Sequence, residues 1–146
     1  MLSSTGRLVL LENNPMSESP HNGGATWLTG KRVLVVEDEF LIALDIETIL
    51  ESVGTEVKTA NRVDQVLAII KSDGPFDAAV LDLKLERETS VAIAERLQAS
   101  NVPFVFLTGA AGDTTIAAQF KNAPVVGKPF DSEALFSALK QAMKAR

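Results

Sequence analysis

Residues 32–39 read RVLVVEDE, and this stretch constrains the fold more than any other. An unbroken apolar run leaves no face for water, so it predicts a strand covered on both sides, as in a parallel sheet. The run then stops at two adjacent carboxylates, Glu37 and Asp38. Like charges crowded at the end of a buried strand repel one another and are costly without a compensating charge. The pattern recurs. DAAVLDL at 77–83 carries Asp82 near its end, PFVFLT at 103–108 closes on Thr108, and APVVGKP at 123–129 delivers Lys128.

Helical spacing fills the intervals. Ile42, Ile46, Ile49, Leu50 and Val53 recur on one face across 39–53, and Gly54 ends that helix. TEVKTA at 55–60 alternates weakly and reads as a short edge strand. Asn61 is placed to cap a helix carrying Val63, Val66, Leu67 and Ile70, broken by SDGP at 72–75. Further helices are predicted near 89–99, over 112–120 with Asp113 as cap, and after Asp131, with Leu135, Ala138, Leu139, Ala142 and Met143 on one face. Strands alternating with helices across short connections imply right-handed crossovers and a parallel sheet with helices on both faces. Ligands of such sheets gather beyond the carboxyl ends of the strands. Glu37, Asp38, Asp82, Thr108 and Lys128 all belong to that edge. Phe104, Phe106 and Val125 read as core, and Glu86, Arg87 and Glu88 as a solvated loop.

Residues 1–30 are expected to form a flexible arm or linker, and 31–146 the folded domain. The stretch ENNPMSESPHNGGATWLTG at 12–30 is rich in Asn, Ser, Pro and Gly. Within it Trp27 reads as a local anchor. The apolar patch RLVL at 7–10 is too short for a signal-peptide core.

Several chemistries are excluded by composition. Cysteine is absent and the one histidine, His21, lies in the arm, so nucleophile systems built on Cys or His cannot operate in the domain. Lys and Arg number 14 against 19 Asp and Glu, a net charge of −5, which disfavours binding to a phosphate backbone. No apolar run approaches the roughly 18 residues of a membrane span. A cytoplasmic protein without nucleic-acid or membrane partners is the expectation. The remaining chemistry rests on carboxylates, which favour hard cations such as Mg2+. A carboxylate can also act as a nucleophile and form an aspartyl phosphate, with an ammonium and a hydroxyl steadying the transferring oxygens.

VLVVEDE (33–39), VLDLKL (80–85), FLTG (106–109) and KPF (128–130) resemble, in order, the receiver domain of two-component response regulators. The resemblance spans roughly 31–144 and implies a flavodoxin-like (βα)5 three-layer α/β sandwich, its parallel five-stranded sheet in the order 2-1-3-4-5. It implies Asp82 as phosphoacceptor and Mg2+ as the only cofactor. Asp38 and Asp82 would hold the ion, Glu37 would help through water, and the backbone carbonyl of Lys84 would complete the set. Thr108 would hydrogen-bond the phosphoryl group and Lys128 would pair with it. A cis peptide before Pro129 is implied as well. The donor would be a histidine kinase or phosphotransfer protein. A downstream partner would read the face of the fourth helix, fifth strand and fifth helix, and the chain would not itself be an enzyme.

Val125 stands where many receivers carry an aromatic switch residue, and Glu86 and Ser90 replace the usual Pro and Gly. These departures are similar to an alphaproteobacterial subfamily with a Phe-Ala-Thr-Gly signature, here with Leu107 for the Ala. Switching is then expected through the loop flanked by Gly109 and Gly112. Two other readings compete: a phosphate-independent pseudo-receiver or adaptor, against which the complete set of acids, Thr and Lys stands, and an enzyme acting on a free phosphorylated metabolite. The latter would need an acid where Lys84 stands.

Overall fold

A computed structural model describes residues 25–83, 85, 87–109 and 115–144. The strands are β1 (Arg32–Val36), β2 (Glu56–Ala60), β3 (Ala78–Asp82), β4 (Phe104–Thr108) and β5 (Val125–Gly127). They form one parallel sheet in the order β2-β1-β3-β4-β5, as expected. The helices are α1 (Phe40–Glu51), α2 (Val63–Asp73), α3 (Arg87–Ala99), α4 (Thr115–Ala118) and α5 (Ser132–Lys144).

Side chains alternate across each strand, so the continuous apolar runs feed two cores at once. Val33, Val35, Val80, Val105 and Leu107 pack with Ile46 and Leu50 of α1 and Leu135 and Leu139 of α5. Leu34, Val36, Leu81, Phe104 and Phe106 pack on the other face with Val66 of α2, Ile93 and Leu97 of α3, and Ile116 of α4. The central strands β3 and β4 are buried at every residue, which is why their sequences show no alternation.

Register positions the site. Ala60, Val36, Leu81, Phe106 and Val125 lie level across all five strands. Residues just beyond this row emerge together at the carboxyl edge: Glu37 beside Asp82, and Thr108 paired to Gly127, just before Lys128.

The folded unit begins before residue 31. Ala25 and Leu28 are buried in the α1/α5 core, and Trp27 packs against it. Thr26–Leu28 form a 3-10 turn whose Leu28 carbonyl accepts hydrogen bonds from the Lys31 N–H at 3.0 Å and the Thr55 hydroxyl at 3.1 Å. Polar composition assigned this segment to the arm, but three apolar side chains outweigh it. The RLVL patch and His21 lie outside the described residues.

Other local expectations fare unevenly. Gly54 ends α1 with φ +84°, and the Thr55 N–H then bonds back to the Leu50 carbonyl. The Asp131 carboxylate accepts the Ala134 N–H at 2.8 Å and caps α5 as read. Asn61 does not cap α2. Arg62 holds that position, and the Gln65 side chain accepts the Asn61 N–H at 2.9 Å. The helix predicted near 89 starts two residues earlier, at Arg87. Val125 is 44% exposed rather than core, because β5 is a three-residue edge strand whose one buried side chain is Val126. The Asp113 cap and Gly112 lie outside the described residues. Among those described, no helix is long and apolar enough to cross a membrane.

Candidate functional site

Asp82 is the last residue of β3 and is fully buried. Glu37, directly after β1, is buried beside it, while Asp38 points into solvent at the mouth. One carboxylate oxygen from each of the three lies within 4.8 Å of the others. Lys128 follows β5 and is fixed by the sheet itself, since its N–H donates to the Thr108 carbonyl at 2.7 Å. Its ammonium donates to Asp82 Oδ1 at 3.1 Å and Glu37 Oε1 at 3.3 Å. The peptide bond between Lys128 and Pro129 is cis, as the family resemblance implied.

The electrostatics are those of a site short of positive charge. Among the described residues Lys128 supplies one cation against three carboxylates. Burial pushes the Glu37 carboxyl up from its ordinary 4.5 to about 7, and a hydrogen bond with Asp82 pushes the same way. The Glu39 N–H, donating to Glu37 Oε2 at 3.1 Å, opposes that rise. A buried acid that keeps its proton near neutrality marks a place where a further cation would be favourable. The donor set is all oxygen, and a hard divalent ion with two buried carboxylates and one at the solvent mouth suits magnesium better than a nitrogen- or sulfur-loving metal. The residues therefore fit Mg2+.

Thr108 ends β4, nearly buried, with its hydroxyl donating to the Gly109 carbonyl at 3.4 Å. The fold brings Glu37, Asp38, Asp82 and Lys128 into one cluster, with Thr108 on the adjoining strand tip. Lys84 lies outside the described residues.

Two features escaped the sequence reading. Ser90 is fully buried in α3, and its hydroxyl finds no hydrogen-bond partner among the described residues. Phe40 and Leu41 at the start of α1 are 75% and 76% exposed, and Leu44 one turn on is 45% exposed. The signal for the second was present: Ile42, Ile46, Ile49 and Leu50 take one face of the helix, which turns Phe40 and Leu44 outward. Beside them a cleft of about 210 Å³ runs from Glu37 and Asp38 along Phe40 and Ala43 to Thr59, Asn61 and Gln65. A cavity of similar volume at the opposite sheet edge, near Phe104, Phe120 and Ala142, is lined by no ionisable group.

Comparison with known proteins bears on the family and the fold. The family described as the response regulator receiver domain matches residues 33–140. A solution structure of SdrG from Sphingomonas melonis Fr1 is 40% identical with a TM-score of 0.66, covering 77% of this chain and 96% of that one. The signal receiver domain of a modulated diguanylate cyclase from Desulfovibrio desulfuricans is 28% identical with a TM-score of 0.68, covering 78% of this chain and 94% of that one. Among curated relatives, the probable transcriptional regulator ycf27 of Cyanophora paradoxa is 28% identical over 117 residues, 78% of this chain and 48% of its own length. The phyllosphere-induced regulator PhyR of Methylorubrum extorquens is 27% identical over 114 residues, 76% of this chain and 43% of its own length. The chain spans about half the length of the curated relatives it matches.

Proposed function

The chain belongs to the response regulator receiver domain family, and from that premise we propose that it takes up a phosphoryl group on Asp82 from the histidine of a kinase or phosphotransfer protein. The observation that carries this reading is the cluster itself: Asp82, buried at a strand end, with the Lys128 ammonium 3.1 Å away and two further carboxylates within 4.8 Å.

In the proposed reaction one Asp82 oxygen attacks phosphorus, the P–O bond forms, and the P–N bond to the donor imidazole breaks with its electron pair leaving on the ring. Positioning and charge stabilisation supply most of the catalysis in phosphoryl transfer. Lys128, already on Asp82, orients the nucleophile before transfer and offsets phosphoryl charge after it. Thr108, at the tip of the neighbouring strand, offers its hydroxyl to a phosphoryl oxygen. Magnesium held by Glu37, Asp38 and Asp82, with the Lys84 carbonyl, would neutralise the crowded acids and phosphoryl oxygens. Hydrolysis of the same bond returns Asp82, so the chain is a phosphoacceptor that supports its own turnover rather than an enzyme acting on other molecules.

The donor approaches over the mouth, where Asp38 and the outward face of α1 lie. The message leaves through protein contacts on the face of α4, β5 and α5, where Val125 is exposed. FLTG at 106–109, with Leu107 for the Ala, and Val125 support membership of the Phe-Ala-Thr-Gly branch, and the cytoplasm is the proposed place of action. Intact-mass measurement after incubation with acetyl phosphate tests the reading. It predicts one magnesium-dependent phosphoryl adduct on the wild type and none on Asp82→Ala; a full adduct on that variant would sink it.

A further inference from the structure

The acid cluster occupies one edge of the sheet. At the other edge, where β4 begins, lies the cavity of about 210 Å³. Its floor is Phe104, Phe120 and Ala142, all buried. The floor is preformed: the Phe104 and Phe120 rings meet edge to face with centroids 5.8 Å apart, and Phe106 backs them at 5.4 and 6.0 Å. Three primary amides form the rim, Gln98 on the last turn of α3, Asn101 just beyond it, and Asn122 before β5. The turn at Asn101 (φ +58°) is closed by the Val102 N–H, which donates to the Leu97 carbonyl at 2.9 Å. The lining contains no ionisable side chain, so a charged occupant would be desolvated without compensation. Primary amides both donate and accept, which suits the N–H and C=O groups of an extended backbone. The cleft at the acid edge is lined instead by two carboxylates, Glu37 and Asp38.

The same chain carries a segment of matching chemistry. Leu8, Val9, Leu10 and Leu11 form an apolar run, and residues 12–24 that follow contain no Val, Leu, Ile, Phe or Trp. In an extended segment side chains alternate, so Leu8 and Leu10 share a face. The chain enters the fold at Ala25, which is buried in the same core cluster as Ala142 of the cavity floor, with Trp27 and Met143 packed against that cluster. Thirteen residues, 12–24, can span at most about 45 Å. That exceeds the width of a domain whose radius of gyration is about 13 Å.

We propose that the cavity is a docking site for the chain's own Leu8–Leu11 segment, with a leucine side chain on the phenylalanine floor and the amide rim on the segment's backbone. The volume is sufficient, since a cavity of about 150 Å³ already holds a benzene ring. Tethering makes the encounter intramolecular at an effective concentration on the order of millimolar, so a contact too weak to hold a free peptide holds this one. Arg7 and Glu12 bracket the run and stay in water outside the rim. The docked segment ties α3, the turn before β5 and α5 together at the edge away from Asp82. The inference is independent of the phosphoacceptor reading.

The chain has no cysteine, so Ser4→Cys in the full 146-residue protein gives a single attachment point for a nitroxide spin label. Paramagnetic broadening of amide signals should be strongest at Gln98, Asn101, Asn122 and Ala123. It should be lost on adding Leu8→Ser and Leu10→Ser, which lie outside the packed domain, and weakened by Gln98→Glu with Asn122→Asp at the rim. Broadening centred on another face, or a pattern unchanged by the two serines, would overturn the docking. A mixture of spin-labelled chain with isotope-enriched, unlabelled chain should show no broadening at these residues. Broadening there would mean that the segment of a second copy fills the cavity, which also overturns the intramolecular contact.

Discussion

Asp82, Glu37 and Lys128 form a set in which no member has its ordinary surroundings. Glu37 is the clearest case. Its carboxyl is raised from 4.5 to about 7, so the folded chain holds a proton that the unfolded chain releases. The stability this confers is complete below about pH 4.5 and is lost as pH rises through about 7. Urea unfolding of the metal-free protein should therefore show stability falling across that window, with a flatter profile for Glu37→Gln. Stability that rises across it, with the same slope in the variant, would contradict the assignment. Crowding also predicts that Asp82→Asn stabilises the metal-free protein, by on the order of 1 kcal/mol, because one of three mutually repelling acids is removed from a site shaped for function. Calorimetry would show this as a higher Tm, and a lower one would mean that the ion pair with Lys128 dominates. The acids were legible in the sequence because each ends an apolar run. Their separation was not, since register between strands far apart in the chain fixes it. Val125 was misread because composition cannot tell an edge strand from a central one.

The strands and helices themselves were legible wherever period and punctuation agreed. VLVV and FVFL are apolar at every position because each feeds two cores, and Gly54 ends α1 because its φ of +84° lies where other residues are strained. Gly54→Ala adds a methyl that would stand 3.0 Å from Thr29 Cγ2 as well as that strain, and should cost roughly 1–2 kcal/mol in denaturant unfolding. A neutral result would show that the turn relaxes freely. The turn at Thr26–Leu28 was not legible, because Leu28 and the preceding Ala25, the buried residues here, sit among Gly and Thr with no period to read. Leu28→Ala should nonetheless cost about 2–5 kcal/mol, as for any fully buried leucine, and a cost below 0.5 kcal/mol would return the segment to the arm.

For the molecule as a whole, the sheet is a device for bringing together four residues spread from position 37 to position 128, and under the proposed function its stability is linked to the ion they would hold. Magnesium at about 100 times its dissociation constant should add about 2.7 kcal/mol to unfolding free energy, if the unfolded chain does not bind it. Asp38→Ala, at the exposed mouth, should remove most of that gain while leaving metal-free stability within about 0.5 kcal/mol, as for other surface substitutions. An undiminished gain would place the ion elsewhere. The central claim is that Asp82, and no other acid of the cluster, carries the phosphoryl group. Borohydride reduces an aspartyl phosphate to homoserine, so peptide mass spectrometry after acetyl phosphate treatment and reduction reads the position directly. The account predicts homoserine at residue 82 alone and only when magnesium is present; a reduced residue at 37 or 38, or a phosphoryl adduct that leaves residue 82 as aspartate, would contradict it.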